Sequence, residues 1–242
     1  MTRSVFITGG TGSVGQALVR EFREANYDVV FQWKSNGPLA EKLASETGAK
    51  AMPIDFSDRT VPDLDRIDIL VNNTAINVSR ALAADVTLND WDVNLLVNLT
   101  WPFLLVQKCL PSMVANRWGR VINISSIYGL RAGEGNLPYN VSKHGLSALT
   151  KTVAREYGEF GISSNEICPG PIESELLTRI ALYHKETEGT PIDEYFHSLA
   201  AEIPSKRLAV PRDVARVAVF LAAEDSGYIN GTSIPVDGGL IA

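Results

Sequence analysis

The sequence predicts an α/β protein in which seven parallel strands form one doubly wound sheet with helices on both faces. Three observations predict it. Seven short runs rich in β-branched residues recur along the 242-residue chain, with helical stretches between them. The runs are continuously apolar rather than alternating, the pattern of strands buried on both faces. The residues with chemistry to offer follow the ends of these runs, where open α/β sheets bind their ligands.

SVFIT (4–8) reads as the first strand and VGQALVREFREA (14–25) as the helix behind it. DVVFQW (28–33) is the second strand, followed by a helix over PLAEKLASET (38–47). KAMPI (50–54) and IDILV (67–71) supply the third and fourth strands, and a long helical pattern spans 91–115. RVINI (120–124) is the fifth strand, ahead of a helix over 140–157, and SSNEI (163–167) is the sixth. A lid-like stretch, 171–203, precedes a helix at 211–222 and the last strand, SIPV (233–236). No repeat, low-complexity tract or linker interrupts this order, so residues 1–242 read as a single domain. Right-handed crossovers between parallel strands then give a Rossmann-type sandwich.

Hydrophobic residues make up 45% of the chain and charged residues 21%, which suits a globular core. A net charge of −6 argues against nucleic acid or an anionic membrane as partner. Cys109 and Cys168 lie far apart without CxxC spacing, so a reducing compartment and no disulfide framework are expected. His144, His184 and His197 form no ligand cluster, so no metal site is expected. The most apolar run, LLVNLTWPFLLVQ (95–107), is broken by Asn98, Thr100 and Pro102, short of the roughly 18 residues of a membrane span. No signal peptide is evident, and the expected location is the cytoplasm.

TGGTGSVG (8–15), between the first strand and its helix, can be read in three registers. Gly10, Gly12 and Gly15 fit G-x-G-x-x-G, while Gly9, Gly12 and Gly15 fit a second spacing. A third, T-G-x-x-x-G-x-G, fails only at Ser13. Glycine lets the backbone approach a pyrophosphate, and the helix N-terminus offers free N–H groups and partial positive charge. Gly9, Thr11, Gly12, Ser13, Val14 and Gly15 are therefore candidate dinucleotide contacts. Ser13 can bond a phosphate oxygen or cap the helix.

A carboxylate closing the second strand would hold the ribose 2′-hydroxyl of NAD. Here the strand ends in Gln32-Trp33-Lys34-Ser35-Asn36, without an acid, and Asp28 stands at its wrong end. The Lys34 cation and Ser35 hydroxyl suit a 2′-phosphate beside Trp33, so NADP(H) is the expected cofactor; the alternative for Lys34 is an ordinary solvated lysine. Asp55, closing the third strand beside Phe56, can accept a hydrogen bond from the adenine amine.

Tyr139-x-x-x-Lys143 stands at the opening of the 140–157 helix, so both side chains share one face, one turn apart. A free phenol has a pKa near 10, and a neighbouring ammonium lowers such a value by roughly 1–3. That makes a phenol useful in proton exchange with a carbonyl or alcohol oxygen. Ser126, thirteen residues earlier and just past a strand end, can offer its hydroxyl to the same oxygen, a spacing its neighbour Ser125 lacks.

Together with the glycine loop, Asn98 and Pro169-Gly170, these residues resemble the short-chain dehydrogenase/reductase family, in its shorter-subunit branch, over essentially the whole chain. The resemblance implies that Ser126 orients the substrate and Tyr139 is the acid/base. It implies that Lys143 binds the nicotinamide ribose and depresses the tyrosine pKa, and that Asn98 supports a water-linked proton relay. LVNN (70–73) resembles the segment that stabilises the central sheet near the adenosine, bringing in Asn73 and Thr74. In CPGPIES (168–174), Ile172 and Ser174 would meet the nicotinamide carboxamide, serine replacing the usual threonine. VDGGL (236–240) resembles the segment near the subunit interface.

Two departures stand out. The family's N-N-A-G appears as Asn72-Asn73-Thr74-Ala75, and the 9/12/15 glycine spacing belongs to the longer-subunit branch. In general pattern the chain is similar to 3-oxoacyl-[acyl-carrier-protein] reductases, which dock their acidic carrier through two basic positions. Arg117 matches one, while Phe160 replaces the other. The expected activity is NADPH-dependent reduction of a ketone carbonyl, free or carrier-bound, by a homotetramer built through the 91–115 and 140–157 helices and the last strand. An NAD(H)-linked alcohol dehydrogenase and a catalytically silent cofactor sensor remain the alternatives.

Overall fold

The computed structural model describes residues 2–242 apart from positions 58, 65 and 79. β1 (Ser4–Ile7) lies inside the sheet, and α1 (Ser13–Glu24), β2 (Asp28–Trp33), α2 (Gly37–Thr47) and β3 (Lys50–Pro53) build outward on one side. β4 (Ile69–Asn72) pairs with the other edge of β1. Next come α3 (Leu88–Leu95), α4 (Trp101–Asn116), β5 (Gly119–Ile124), α5 (Leu137–Tyr157) and β6 (Ile162–Pro169). The chain ends with α6 (Glu175–Glu188), α7 (Ile192–Glu202), α8 (Pro211–Ala222) and β7 (Ser233–Val236). The strand order is β3-β2-β1-β4-β5-β6-β7, parallel throughout, as expected of the doubly wound fold. The direction of winding reverses between β1 and β4, and the crevice beyond their C-terminal ends is the switch point.

Successive side chains of β1 serve opposite layers. Val5 and Ile7 join the α1 and α8 side with Leu18, Phe22 and Val214, while Phe6 joins Trp101 and Leu105 of α4. With both faces covered, nothing in the strand needs to be polar. Buried amide groups elsewhere in the sheet are paired: the Asn72 Nδ2 donates to Asn123 Oδ1 across β4 and β5 at 2.8 Å, and Asn123 Nδ2 donates to Thr150 Oγ1 at 2.8 Å.

The long helix and the lid-like stretch both differ from the sequence reading. The helix expected over 91–115 runs from Leu88 to Asn116 and carries one π turn, Leu96–Thr100. Thr87 sets the early start, its hydroxyl accepting from the Asp90 N–H at 3.1 Å. The continuous Leu88–Asn116 helix is long and apolar enough to cross a membrane, which the broken run 95–107 had concealed. Its apolar residues Trp101, Leu105, Val106 and Met113 are buried against the sheet. The lid-like stretch 171–203 contains α6 and α7, which enclose a small cluster of Leu177, Ile203 and Leu208.

Candidate active site

The glycine loop uses the 9/12/15 register. Gly9, Gly12 and Gly15 line a cleft of about 380 Å³ at the switch point, with Ser13 and Val14. Gly10 faces away from it: a Cβ there would sit 2.3 Å from the Phe31 ring. At Gly15 a Cβ would lie 1.9 Å from the Gly9 carbonyl oxygen, so α1 reaches the loop only because that position is bare. Gly12 is the N-cap of α1 and no side chain caps the helix, leaving its first N–H groups and positive end toward the cleft. A dinucleotide pyrophosphate fits that donor set.

Residues outside the loop hold it in shape. The buried Gln32 accepts from Gly9 N–H at 2.8 Å and donates to the Ile54 carbonyl at 2.6 Å. Thr8 Oγ1 accepts from the N–H groups of both Asn73 and Thr74 at 2.9 Å, and Asn73 Nδ2 donates to the Thr8 carbonyl at 2.8 Å. The sequence reading found Asn73 and Thr74 and missed Thr8 and Gln32. A glutamine inside the apolar run DVVFQW was the available signal, since a buried amide needs partners. Ser13 does not cap α1. Its hydroxyl accepts from the Glu175 N–H at 3.3 Å, tying the glycine loop to the start of α6.

The adenosine-side candidates lie beyond this cleft. Lys34 and Asp55, read separately as phosphate and adenine contacts, form one ion pair at 2.8 Å. The Lys34 hydrogen bond is the main reason the Asp55 carboxyl sits below its usual pKa. Trp33 is half-buried and packs over Gly37, while Ser35 is exposed. The Phe56 ring is buried against Trp101 at 4.3 Å between centroids, and its carbonyl accepts from Trp101 Nε1 at 2.9 Å. The core, rather than a ligand, takes that side chain. Thr11 spends its carbonyl on Gln16 Nε2 at 3.1 Å and does not line the cleft.

At the opposite end the structure brings Ser126, Tyr139 and Lys143 into the same cleft. Ser126 follows β5 in extended conformation and caps a 3₁₀ turn, its Oγ accepting from Tyr128 N–H at 3.1 Å. Pro138 at the start of α5 begins the helix three residues earlier than expected, which puts Tyr139 in its first turn. Burial pushes the Tyr139 phenol up to about 12, against a smaller opposing pull from the Ser126 hydroxyl. Burial also pushes the Lys143 ammonium down to about 8, with Glu166 among the groups opposing it.

Lys143 exerts no resolved pull on that phenol, on which burial is the largest influence. Its Nζ donates to the Ile124 carbonyl at 2.9 Å and stands 5.5 Å from the centre of the Tyr139 ring, and desolvation outweighs a charge held at that distance. Glu166 lies fully buried on β6, its carboxylate accepting from Ser147 at 2.8 Å and from Ser233.

Asn98 sits in the π turn and does not line the cleft. Its amide clamps the loop after β4: Oδ1 accepts from Ile76 N–H at 2.9 Å, and Nδ2 donates to the Ile76 carbonyl at 2.8 Å and Ser142 Oγ at 3.1 Å. With the side chain spent on protein groups, Asn98 fixes the loop after β4 against α5. Pro169 ends β6, and Gly170 passes so close to Asp237 that a Cβ would sit 3.0 Å from its Cα. Ile172 bridges to Ala209, and Ser174 caps α6 by accepting from Leu177 N–H at 3.2 Å, which leaves its own proton to donate. No grouping of His, Cys, Asp and Glu suited to a metal occurs among the described residues.

Residues 9–241 match the family described as enoyl-(acyl carrier protein) reductase. The 3-oxoacyl-[acyl-carrier-protein] reductase FabG of Aquifex aeolicus is 32% identical over 97% of this chain and 95% of its own. An acetoacetyl-CoA reductase of Shinella zoogloeoides is 32% identical over 99% of this chain and 98% of its own. The solved structure of a blue fluorescent protein from a metagenomic library, in complex with NADPH, superposes with a TM-score of 0.85 at 30% identity, covering 99% of this chain and 98% of that one. A seven-stranded parallel sheet, a bare glycine loop and a Ser126–Tyr139–Lys143 cleft thus coincide with matches along nearly the full length, and the chain belongs to the short-chain dehydrogenase/reductase family.

Proposed function

We propose that the protein is an NADPH-dependent reductase of ketone carbonyls, with 3-oxoacyl compounds or related small ketones as substrates. One observation carries the reading: a protonated phenol, a serine hydroxyl and a buried ammonium meet in the cleft that also receives the uncapped end of α1. The NADPH bound by the relative of known structure and the ketoacyl substrates named for the two reductases support it. Gly9, Gly12, Ser13, Val14 and Gly15 would hold the pyrophosphate, Asn73 and Thr74 the adenosine side, and Pro169, Gly170, Ile172 and Ser174 the nicotinamide side. When bound, NADPH supplies the hydride.

The chain's own groups handle the proton. Ser126 donates a hydrogen bond to the carbonyl oxygen and fixes its position. Tyr139, which stays protonated at neutral pH, gives its proton to that oxygen as negative charge develops. Lys143 contributes positive charge beside the phenolate left behind, and Asn98 keeps the loop after β4 in place. The stretch 171–203 acts as the lid, α6 and α7 closing over an apolar pocket that includes Leu176, Leu177 and Ile180.

Carrier docking has weaker support. Arg117 donates to the Glu159 carbonyl at 2.8 Å and lies over Phe160 at 6.0 Å, so the matching cation is already engaged. A free ketone, a coenzyme A thioester and a carrier thioester are to be compared as substrates. A homotetramer in the cytoplasm completes the reading: Phe103 on α4 and Val141 on α5 are exposed apolar residues on the helices that would pair. Sedimentation at the 26.3 kDa of one chain would remove the oligomer.

The direct test is NADPH oxidation with ketones in wild type and Lys34→Gln, set against NADH. NADPH is expected to be preferred, and the variant to lose about tenfold in that preference by removing a phosphate partner. A strong NADH preference in the wild type would overturn the role given to Lys34. A second result is expected in the pH profile. kcat/KM reports the free enzyme, so reduction should decline as pH rises through about 8, where Lys143 loses its charge. Loss of fold does not explain such a decline. From about 8 to the ordinary 10.5 the unfolded chain holds this proton and the folded chain does not, so this group makes stability rise with pH. A flat profile from neutral pH past that window would remove Lys143's charge from the mechanism.

A further inference from the structure

The outer part of the cleft contains two guanidinium groups that the catalytic reading leaves unused. Arg80, in the loop after β4, and Arg179, on α6, both line it. The other Lys or Arg that lines the cleft, Lys143, is committed to the Ile124 carbonyl. Neither Arg80 nor Arg179 makes an ion pair within 4.0 Å among the described residues. The Arg80 charge reaches the phenol of Tyr195, a lid residue of the same cleft. Glu175, one turn before Arg179 on α6, also lines the cleft, its backbone N–H donating to the Ser13 hydroxyl at 3.3 Å.

A second observation points to a polar ligand in the same place. Asn77 lines the cleft, and its Nδ2 donates to Asn136 Oδ1 at 2.7 Å, while its Oδ1 is buried without a hydrogen-bond partner. Leaving an amide oxygen in that state costs about 1–3 kcal/mol, which a ligand donor would relieve. The apolar residues Leu176, Ile180 and Leu199 separate these polar groups into a few fixed points, as in pockets that select orientation.

We propose that Arg80 and Arg179 form an anion subsite, so that the substrate is a ketone carrying a carboxylate or phosphate group at the end remote from the carbonyl. Guanidinium groups suit this task because their planar fork matches both oxyanions. The Asn77 oxygen accepts a hydroxyl or amide N–H of the same molecule. This deepens the reductase reading and rests on it for the position of the carbonyl.

The test separates the two. 5-Oxohexanoate and its methyl ester, and pantetheine 4′-phosphate and pantetheine, are titrated calorimetrically into NADP⁺-saturated wild type, Arg80→Gln, Arg80→Lys and Arg179→Gln. Expected is an anion-over-neutral affinity ratio of about tenfold or more in the wild type, falling toward unity in either glutamine variant and partly kept in Arg80→Lys. Preference within the first pair identifies a free keto acid, and within the second a phosphopantetheine-borne substrate. Equal binding of both members in both pairs, or a ratio unchanged in the variants, overturns the subsite. Loss of NADPH affinity alone in Arg179→Gln overturns the pairing by assigning that cation to the coenzyme. Absence of ketone turnover with the anion preference intact counts against the reductase reading instead.

Discussion

Tyr139→Phe is expected to slow ketone reduction by about 10²–10⁴-fold, which corresponds to roughly 3–5 kcal/mol of transition-state stabilisation. The ring stays: it lies edge-on to Tyr128 at 6.4 Å between centroids, and its position in the first turn of α5 is set by Pro138. Only the hydroxyl is removed, and the transferable proton goes with it. Because burial has already pushed that phenol up to about 12, the wild type carries the proton throughout the working range, and the variant has none to give. Fold stability should change by no more than about 1 kcal/mol, the net worth of one hydrogen bond. NADPH binding, followed by fluorescence, should persist. Retained turnover in a folded, coenzyme-binding variant would take the tyrosine out of the mechanism.

Gly15→Ala should produce the second large effect, on coenzyme binding. In an ordinary helix the change is favourable by about 1 kcal/mol. Here the added carbon would meet the Gly9 carbonyl oxygen at 1.9 Å and the Gly10 Cα at 2.8 Å, both backbone atoms that cannot swing aside. Either α1 retreats or the loop opens, and overpacking of this kind costs about 1–3 kcal/mol in stability. Both movements spoil the N–H donor array, so NADPH affinity should fall at least about a hundredfold, while a lower melting temperature reports the strain. Gly12→Ala provides the contrast. Its Cβ would lie 3.4 Å from the Gly9 oxygen, an ordinary contact, so the fold should tolerate it while the methyl group intrudes on the cleft. If Gly15→Ala binds NADPH as tightly as wild type, the close approach of helix and loop has no part in holding the coenzyme.

The sheet was legible because its information is local and repeated. Each strand is a short apolar run, each crossover a helix, and parallel pairing leaves one economical order. That Ser126, Tyr139 and Lys143 share one cleft was legible for a related reason: Tyr139 and Lys143 are one helical turn apart, and Ser126 follows a strand end. What escaped is what depends on residues distant in sequence. Nothing near Asn98 announces a π turn, which arises where its amide grips Ile76 and Ser142. Nothing near Phe56 announces that Trp101, on a helix far along the chain, claims its ring and its carbonyl. Spacing fixes the proximity of Lys143 to Tyr139 and says nothing of desolvation, which raises the phenol and lowers the ammonium. Arg80 and Asn77 stand in an irregular loop without periodicity, so only the folded chain shows that they share a cleft with Arg179.

The Thr8 hydroxyl accepts from two successive N–H groups of the loop after β4, and Gln32 grips Gly9 from the neighbouring strand. Three separate stretches of chain are thereby soldered into one wall before any nucleotide arrives. Little freedom is left there to surrender on association, so the dinucleotide half should engage as a rigid socket, and adaptive closure is delegated to the helices α6 and α7. Such a division of labour favours an ordered encounter in which coenzyme enters first and the second molecule meets a finished floor.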